Sequence, residues 1–130
     1  MLLKYLKVYP LSFLCALLIV CLSLMPFPHI EIAENVPLAD KWTHMVMYGG
    51  LSLCIWGEYL RSHKFFDGMR LLLFGILLPI LLGGALELAQ AYLTSTRSGE
   101  WLDFTADAIG TVAGAAIAYL AYKSWSRHKR

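Results

Sequence analysis

Charged residues are scarce in this chain. Asp, Glu, Lys and Arg together make up 15% of its 130 residues, hydrophobic residues make up 58%, and the mean hydropathy is +0.60. A typical soluble domain is about 25% charged. The composition therefore leaves too little polar surface for a soluble domain of this size, and it indicates a single membrane domain over residues 1–130.

Paired cysteines, a large positive charge and an evident nucleophile are also missing. Cys15, Cys21 and Cys54 lie in apolar segments, are odd in number and lack paired spacing, so we expect neither a disulfide framework nor a zinc ribbon. The formal net charge is only +2, which gives no basis for nucleic-acid binding. Because no side chain stands out as a nucleophile, a covalent mechanism is not favoured.

The sequence contains four long apolar segments. They cover about residues 8–27, 42–60, 71–93 and 104–122, each close to the roughly 20 residues that a helix needs to cross a bilayer. The first resembles a signal peptide, but it exceeds a usual signal core and no small-residue cleavage site follows it. We therefore expect an all-α, polytopic membrane protein built as a four-transmembrane-helix bundle, with an uncleaved first helix.

The basic residues predict the topology of this bundle. All of them except Lys41 and Arg97 lie at the two ends of the chain or in the connection after the second segment. Short loops rich in Lys and Arg stay in the cytoplasm. We therefore expect a multi-pass protein of the bacterial plasma (inner) membrane with the N-terminus and the C-terminus cytoplasmic. Most acidic residues lie toward the opposite, outer face.

Polar residues gather near the outer ends of the second, third and fourth segments. At about 100° per residue, Asp103, Asp107 and Gly110 share one face of the fourth helix. A carboxylate that faces lipid near the middle of a helix costs about 2.5 to 3.5 kcal/mol, so we expect these groups to face one another in a small outward-facing vestibule. The candidate site residues are Asp40, Lys41, His44, Glu87, Gln90, Arg97, Asp103 and Asp107.

The order of these residues resembles a known family. The ordered motifs are Asp40-Lys41-x-x-His44, Glu87-x-x-Gln90, Arg97, and Asp103-x-x-x-Asp107-x-x-Gly110-x-x-x-Gly114. Together they resemble the VanZ family of small bacterial membrane proteins over about residues 37–118, with Asp107 standing where the family often has an amide. The resemblance implies an integral membrane protein of the cell envelope, some relatives of which are linked to low-level resistance to the glycopeptide teicoplanin. It implies no particular reaction.

Proton transfer is the chemistry that the acidic and imidazole groups favour. His44 and Glu87 form the natural proton-transfer pair, because a carboxylate beside an imidazole fixes its tautomer. Asp103 and Asp107 are the other candidate catalytic residues. No cofactor is expected; the alternative is a divalent metal held by these four side chains, although no close pair of His or Cys defines such a site.

Binding is assigned to the remaining candidates. Arg97 and Lys41 would bind an anion, for which we favour a phosphate of a lipid-linked headgroup, and Asp40 and Gln90 complete the substrate-binding set. Structural interpretations stay open beside this one. Asp40 could cap the second helix, and Glu87 and Gln90 could join helices. Arg97 could form a salt bridge with Asp103 that holds the third connection in place.

Three function classes follow, and whether the protein is an enzyme stays open. The first, which we favour, is a site that binds or modifies a membrane lipid, a lipid-linked cell-wall precursor or another phosphorylated envelope component by acid–base chemistry. The second is a non-catalytic envelope factor that binds a headgroup, a glycopeptide or a partner protein. The third is a small transporter, against which the apolar inner faces of the last two helices argue. The oligomeric state is left open.

Overall fold

The computed structural model describes residues 1–24, 39–93 and 101–129, which form helices and no strand. Two shorter helices come first, α1 (Leu2–Val8) and α2 (Pro10–Leu24). Three long helices follow, α3 (Ala39–Ser62), α4 (Gly68–Leu93) and α5 (Trp101–His128). The all-helical prediction is therefore confirmed for the described residues.

Two of these helices, α4 with 26 residues and α5 with 28, are long and apolar enough to cross a membrane. The pair α1 and α2 passes the same test only if the two count as one span, and they meet at an angle of 101°. At 24 residues α3 is as long as a span, but its composition is more polar. The described part of the chain thus contains two membrane-crossing candidates, or three if the bent pair is one span.

Proline sets the bend near the N-terminus. The predicted first helix begins at Val8, whereas α2 begins at Pro10 and Val8 ends α1. A residue before proline is pushed out of the helical region, and Tyr9 has φ −121° and ψ 52°. Proline itself suits the first position of a helix. The part of the predicted helix after Leu24 lies outside the described residues.

The buried carboxylate of Glu58 fixes the start of α2. Its Oε1 accepts a hydrogen bond from the Leu11 amide at 2.7 Å, and its Oε2 accepts from the Ser12 amide at 3.1 Å and the Ser12 hydroxyl at 2.6 Å. These amides belong to the first turn, where no partner exists within the helix. Glu58 on α3 therefore caps α2 and compensates the positive end of its dipole.

The other helices extend beyond their apolar segments because their polar end turns remain helical. For example, α4 begins three residues before the predicted position 71. Asp67 precedes its first turn and accepts hydrogen bonds from the amides of Met69 at 3.1 Å and Arg70 at 3.2 Å. This side-chain cap satisfies amides that would otherwise lack partners.

An irregular segment interrupts α4. Leu73–Leu77 is a π-helical turn, and Pro79, which follows it, has no N–H to donate to the carbonyl of Gly75 four residues earlier. That carbonyl accepts a hydrogen bond from the Ser52 hydroxyl of α3 at 2.8 Å instead. The Gly75 carbonyl, which lacks its usual partner within α4, thus forms a hydrogen bond that joins α4 to α3.

The helix α3 is the centre of the bundle. It packs against α2, α4 and α5, and its contact with α5 is the most extensive of any pair. Glycine makes that contact close: a Cβ on Gly110 would meet the backbone of Met45, and one on Gly114 would meet the backbone of Gly49. Small residues at helix crossings allow such an approach in membrane proteins.

Apolar side chains fill the interior and also cover the exterior. The buried clusters contain Ile19, Tyr48, Leu51, Ile55 and Leu86 in one group and Trp56, Tyr59, Leu71 and Ala115 in the other. Large apolar residues of α4 and α5 point outward, including Leu81 (59% exposed), Leu88 (55%), Ile117 (58%) and Leu120 (62%). Large exposed apolar surfaces mark contact with a membrane or a partner, and on membrane-length helices they are consistent with a lipid-facing exterior.

Candidate functional site

Five of the predicted site residues meet between α3, α4 and α5; we call Lys41, His44, Glu87, Asp103 and Asp107 the polar centre. His44 Nδ1 lies 2.7 Å from Asp107 Oδ1, and His44 Nε2 lies 3.7 Å from Asp103 Oδ2. Lys41 Nζ lies 2.5 Å from Asp103 Oδ1. One imidazole therefore lies between two carboxylates, and one of these is paired with an ammonium group.

The polar centre is sheltered from solvent. Asp107 is fully buried, and only 8% of Glu87 and of Asp103 is exposed. The side chains of His44 and Lys41 are 12% and 14% exposed, so a narrow face of the centre remains accessible. A low-dielectric environment strengthens each of these interactions, and it makes an unpaired charge costly.

The helical repeat of α5 aligns its share of the centre. Asp103, Asp107 and Thr111 follow one another at intervals of four residues and are all buried, as expected for one face of a helix. The Thr111 hydroxyl donates to the carbonyl of Asp107 at 2.8 Å. The predicted stripe continues through Gly110 and Gly114, both buried, and this confirms that the stripe faces the bundle.

Glycine provides the space in which Asp107 lies. A Cβ on Gly83 of α4 would come within 2.7 Å of Asp107 Oδ2. Gly110, one turn after Asp107 on α5, contacts the backbone of Met45, the residue after His44. The missing side chains therefore let α5 approach α4 on one side and α3 on the other, which brings Asp107 to both helices.

The two oxygens of Asp107 have different surroundings. Oδ1 contacts the His44 ring, whereas Oδ2 is buried and has no hydrogen-bond partner among the residues that the structure describes. Because Oδ2 lies against Gly83, it faces the side of α4 that bears Glu87 one turn later. Buried carboxylate oxygens are normally satisfied.

A metal-binding group exists within the polar centre. His44, Glu87 and Asp107 each offer one ligand atom, and these atoms all lie within 4.8 Å of one another. One imidazole nitrogen and two carboxylate oxygens are common ligands of divalent metals. Asp103, the fourth predicted ligand, pairs with Lys41 instead.

The remaining predicted site residues lie elsewhere. Gln90 is buried and its Nε2 donates to the carbonyl of Ser23 at 2.7 Å, which ties α4 to α2 and agrees with the alternative that it joins helices. Asp40 belongs to the first turn of α3, which begins at Ala39, so it does not precede the helix as a cap; its side chain lies outside the described part. Arg97 also lies outside the described residues.

The sequence indicates no functional role for Glu58, which lies on the predicted cytoplasmic side, and it predicts Tyr48 only as an aromatic residue at the outer boundary of the membrane. In the structure Glu58 is 4% exposed and caps α2. Its position inside an apolar segment is the signal that predicts a buried partner. Tyr48, 1% exposed, stacks one turn from His44 with ring centroids 6.4 Å apart and an interplanar angle of 3°. The spacing of four residues is the only sign of this contact in the sequence.

The comparisons with known proteins found no match. No family model matches the chain, and neither a search of curated proteins nor a search of solved structures gave a similar protein. The resemblance of the motifs to the VanZ family therefore stays a prediction.

Proposed function

We propose that this chain is a multi-pass protein of the bacterial plasma membrane whose helices α2, α3, α4 and α5 all cross the bilayer, with both termini cytoplasmic. Within this bundle the polar centre lies toward the outer face, where it binds or modifies a lipid-linked or phosphorylated component of the envelope. The observation that carries the proposal is the meeting of His44, Glu87, Asp103 and Asp107 from three helices in one sheltered site.

The inclusion of α3 as a membrane span rests on its position in the bundle. Several of its polar side chains face the interior of the bundle: Tyr48, Ser52 and Glu58 are all buried. A helix with polar groups on its protected face can cross a bilayer when its neighbours satisfy those groups. Ser52 bonds to Gly75 and Glu58 bonds to Ser12, so the polar residues that lower the hydropathy of α3 are satisfied inside the bundle.

The acid–base role belongs to His44 in this proposal. When the Asp107 carboxylate accepts a hydrogen bond from Nδ1, the other ring nitrogen, Nε2, is left to take or give a proton. Nε2 is also the nitrogen that faces Asp103 at 3.7 Å. Such an arrangement of carboxylate and imidazole activates a water or a hydroxyl without a covalent intermediate.

Recognition of the ligand is assigned to the positive side of the centre. The Lys41 side chain is 14% exposed and pairs with Asp103, and an ammonium group in this setting attracts phosphate as a point charge. By the resemblance of its motifs, we include a relation to VanZ-like proteins and through them to teicoplanin resistance. A change in teicoplanin susceptibility when the gene is deleted would support this part, and an unchanged susceptibility would remove it.

The test is a comparison of envelope lipids and lipid-linked precursors by mass spectrometry in cells that carry the intact chain, His44→Gln or His63→Gln. His63 is the matched control, because it lies just after α3 and stacks on Tyr59, away from the polar centre. We expect His44→Gln to change the profile as gene deletion does and His63→Gln to leave it unchanged. An identical profile in all strains would contradict the proposal.

A non-catalytic envelope factor is the second candidate. The ion pair of Lys41 with Asp103 and the hydrogen bond of Gln90 to Ser23 favour it, because both use polar groups to join helices. In that case Glu87→Gln and His44→Gln would leave the profile unchanged, whereas deletion would still alter it. Transport is not favoured, since α3 and α5 meet at direct backbone contacts at Gly49 and Gly114.

A further inference from the structure

We propose that His44, Glu87 and Asp107 form a binding site for one divalent cation of the first transition row, with zinc or manganese as its occupant. The role of the bound ion rests on the proposed function. The binding of the ion does not, since it is a property of the folded chain. It begins from the ligand atoms, which come from α3, α4 and α5 and all lie within 4.8 Å of one another.

The second observation is the unsatisfied oxygen of Asp107. Its side chain is 0% exposed and Oδ2 has no hydrogen-bond partner among the described residues. A buried carboxylate oxygen without a partner is costly, because nothing compensates for the water that it loses. A cation provides this partner directly. Oδ2 lies against Gly83, one turn before Glu87, so it is directed to the face of α4 that carries the second carboxylate.

The space around Asp107 is consistent with this assignment. Gly83 has no side chain where a Cβ would come within 2.7 Å of Oδ2, and a larger residue would fill the region between Asp107 and α4. One oxygen of a fully buried acid therefore packs directly against Gly83 of α4, on the helix that carries Glu87.

Charge favours a divalent ion over a monovalent one. Lys41 pairs with Asp103, and the group of candidate ligands itself contains two carboxylates, Glu87 and Asp107, beside the His44 ring. Two carboxylates match a charge of two in a low-dielectric site.

The ligand types select the class of metal. Calcium and magnesium prefer sites made only of oxygen atoms, whereas an imidazole nitrogen with carboxylates suits zinc, manganese and iron. Three protein ligands also leave a coordination position for a water or a phosphate oxygen, as in catalytic rather than structural zinc sites. Such a position would let the ion polarise a phosphorylated ligand that Lys41 attracts.

The experiment measures metal on the purified full chain in detergent micelles. The protein is stripped with a chelator, dialysed against Zn²⁺ or Mn²⁺, and analysed by mass spectrometry for bound metal. We expect about one ion per chain for the intact protein, and a loss of affinity of more than about tenfold in His44→Gln, Glu87→Gln and Asp107→Asn. His63→Gln and Asp67→Asn are the matched controls, because they change the same residue types outside the centre and should bind as the intact chain does.

A second measurement guards against variants that fail to fold. Co²⁺ replaces zinc in such sites and gives visible absorption bands that depend on its ligands. The intact chain and the controls should show these bands, and Asp107→Asn, with helical content verified by circular dichroism, should lose them. An intact chain that binds no ion, or an adventitious ion only, seen as equal binding in the controls and the site variants, would overturn the inference.

The two proposals fail separately. An intact chain without bound metal overturns the cation site but leaves the envelope function standing, because that function is read from lipid profiles. An unchanged lipid profile together with stoichiometric binding that depends on Asp107 overturns the function and supports the cation site.

Discussion

At the scale of single residues, Asp107 decides the arrangement of the polar centre. Its carboxylate is fully buried, contacts His44 through one oxygen and faces α4 through the other. That position exists only because Gly83 lacks a side chain at this point. Asp107 of α5 and Gly83 of α4 thus form one packing unit, and a substitution of either residue should change the packing of the other.

Substitution of Gly83 tests this unit. In Gly83→Ala the new methyl group would lie within 2.7 Å of Asp107 Oδ2, so α4 and α5 must separate or the carboxylate must move. We expect a loss of about 1 to 3 kcal/mol in the free energy of unfolding, the usual cost of overpacking. Thermal unfolding of the purified chain measures it.

The matched control for Gly83 is Gly50→Ala. A Cβ at Gly50 has nothing within 4 Å, and alanine is the better helix former by about 1 kcal/mol. Gly50→Ala should therefore leave the unfolding temperature unchanged or raise it slightly. Equal destabilisation by both substitutions would contradict the packing described here.

At the scale of helices, buried polar groups connect the ends and irregularities of one helix to the side of another. Glu58 of α3 caps α2, Ser52 of α3 bonds to the carbonyl that Pro79 leaves free in α4, and Gln90 of α4 bonds to Ser23 of α2. Each contact satisfies a backbone group that its own helix cannot. The bundle is therefore held together by polar contacts as well as by apolar packing, as expected where lipid weakens the hydrophobic contribution between helices.

Removal of the charge on Glu58 should weaken the start of α2. In Glu58→Gln the carboxylate loses its charge-assisted bonds to the Leu11 and Ser12 amides, which we expect to cost about 1 to 3 kcal/mol in the free energy of unfolding. The pair Glu58→Gln and Ser12→Ala should cost less together than the sum of the two, because they share one hydrogen bond of 2.6 Å.

A chemical denaturation series of the single and double variants measures this coupling. Asp67→Asn is the control, since it alters an exposed cap that serves only its own helix and should cost less than about 1 kcal/mol. Strict additivity of the Glu58 and Ser12 substitutions would contradict the assigned contact.

The sequence predicts the interior faces of helices better than their partners. The spacing of Asp103, Asp107, Gly110 and Gly114 is a property of one helix, so periodicity alone placed this stripe toward the bundle. The role of Glu58 depends on which helix end lies beside it, and the π-helical turn at Leu73–Leu77 depends on the packing of α4. Neither arrangement has a local pattern in the sequence. The bend before Pro10 does have a local signal, the proline itself, but this proline lies within a continuous apolar run that predicts a single helix.

At the scale of the whole molecule, polar side chains such as Ser52, Glu58 and Asp107 are buried between the helices, whereas apolar side chains lie both inside and outside. The central helix α3 carries the more polar sequence and is surrounded by α2, α4 and α5, while α4 and α5 expose apolar side chains. This distribution is the reverse of a soluble bundle's exterior. It explains why hydropathy selects α4 and α5 as candidate spans and does not select α3.

The orientation of the molecule in the membrane follows from its basic residues and can be tested with single cysteines. In a chain whose three native cysteines are replaced by serine, we expect Ser98→Cys, in the connection between α4 and α5, to react with an impermeant maleimide on intact cells. Ser126→Cys, near the end of α5, should react only after permeabilisation. The reverse pattern would place the polar centre at the cytoplasmic face.

The central claim is that His44 of α3 and Asp107 of α5 meet inside one membrane bundle, and cross-linking in native membranes tests it most directly. In the same cysteine-free chain, the pair His44→Cys and Asp107→Cys should be joined by a short thiol-reactive cross-linker. The pair His44→Cys and Ile109→Cys should not, because Ile109 lies on the exposed side of α5. Cross-linking of the first pair alone is the result that we predict; its absence, or equal cross-linking of both pairs, would contradict the account.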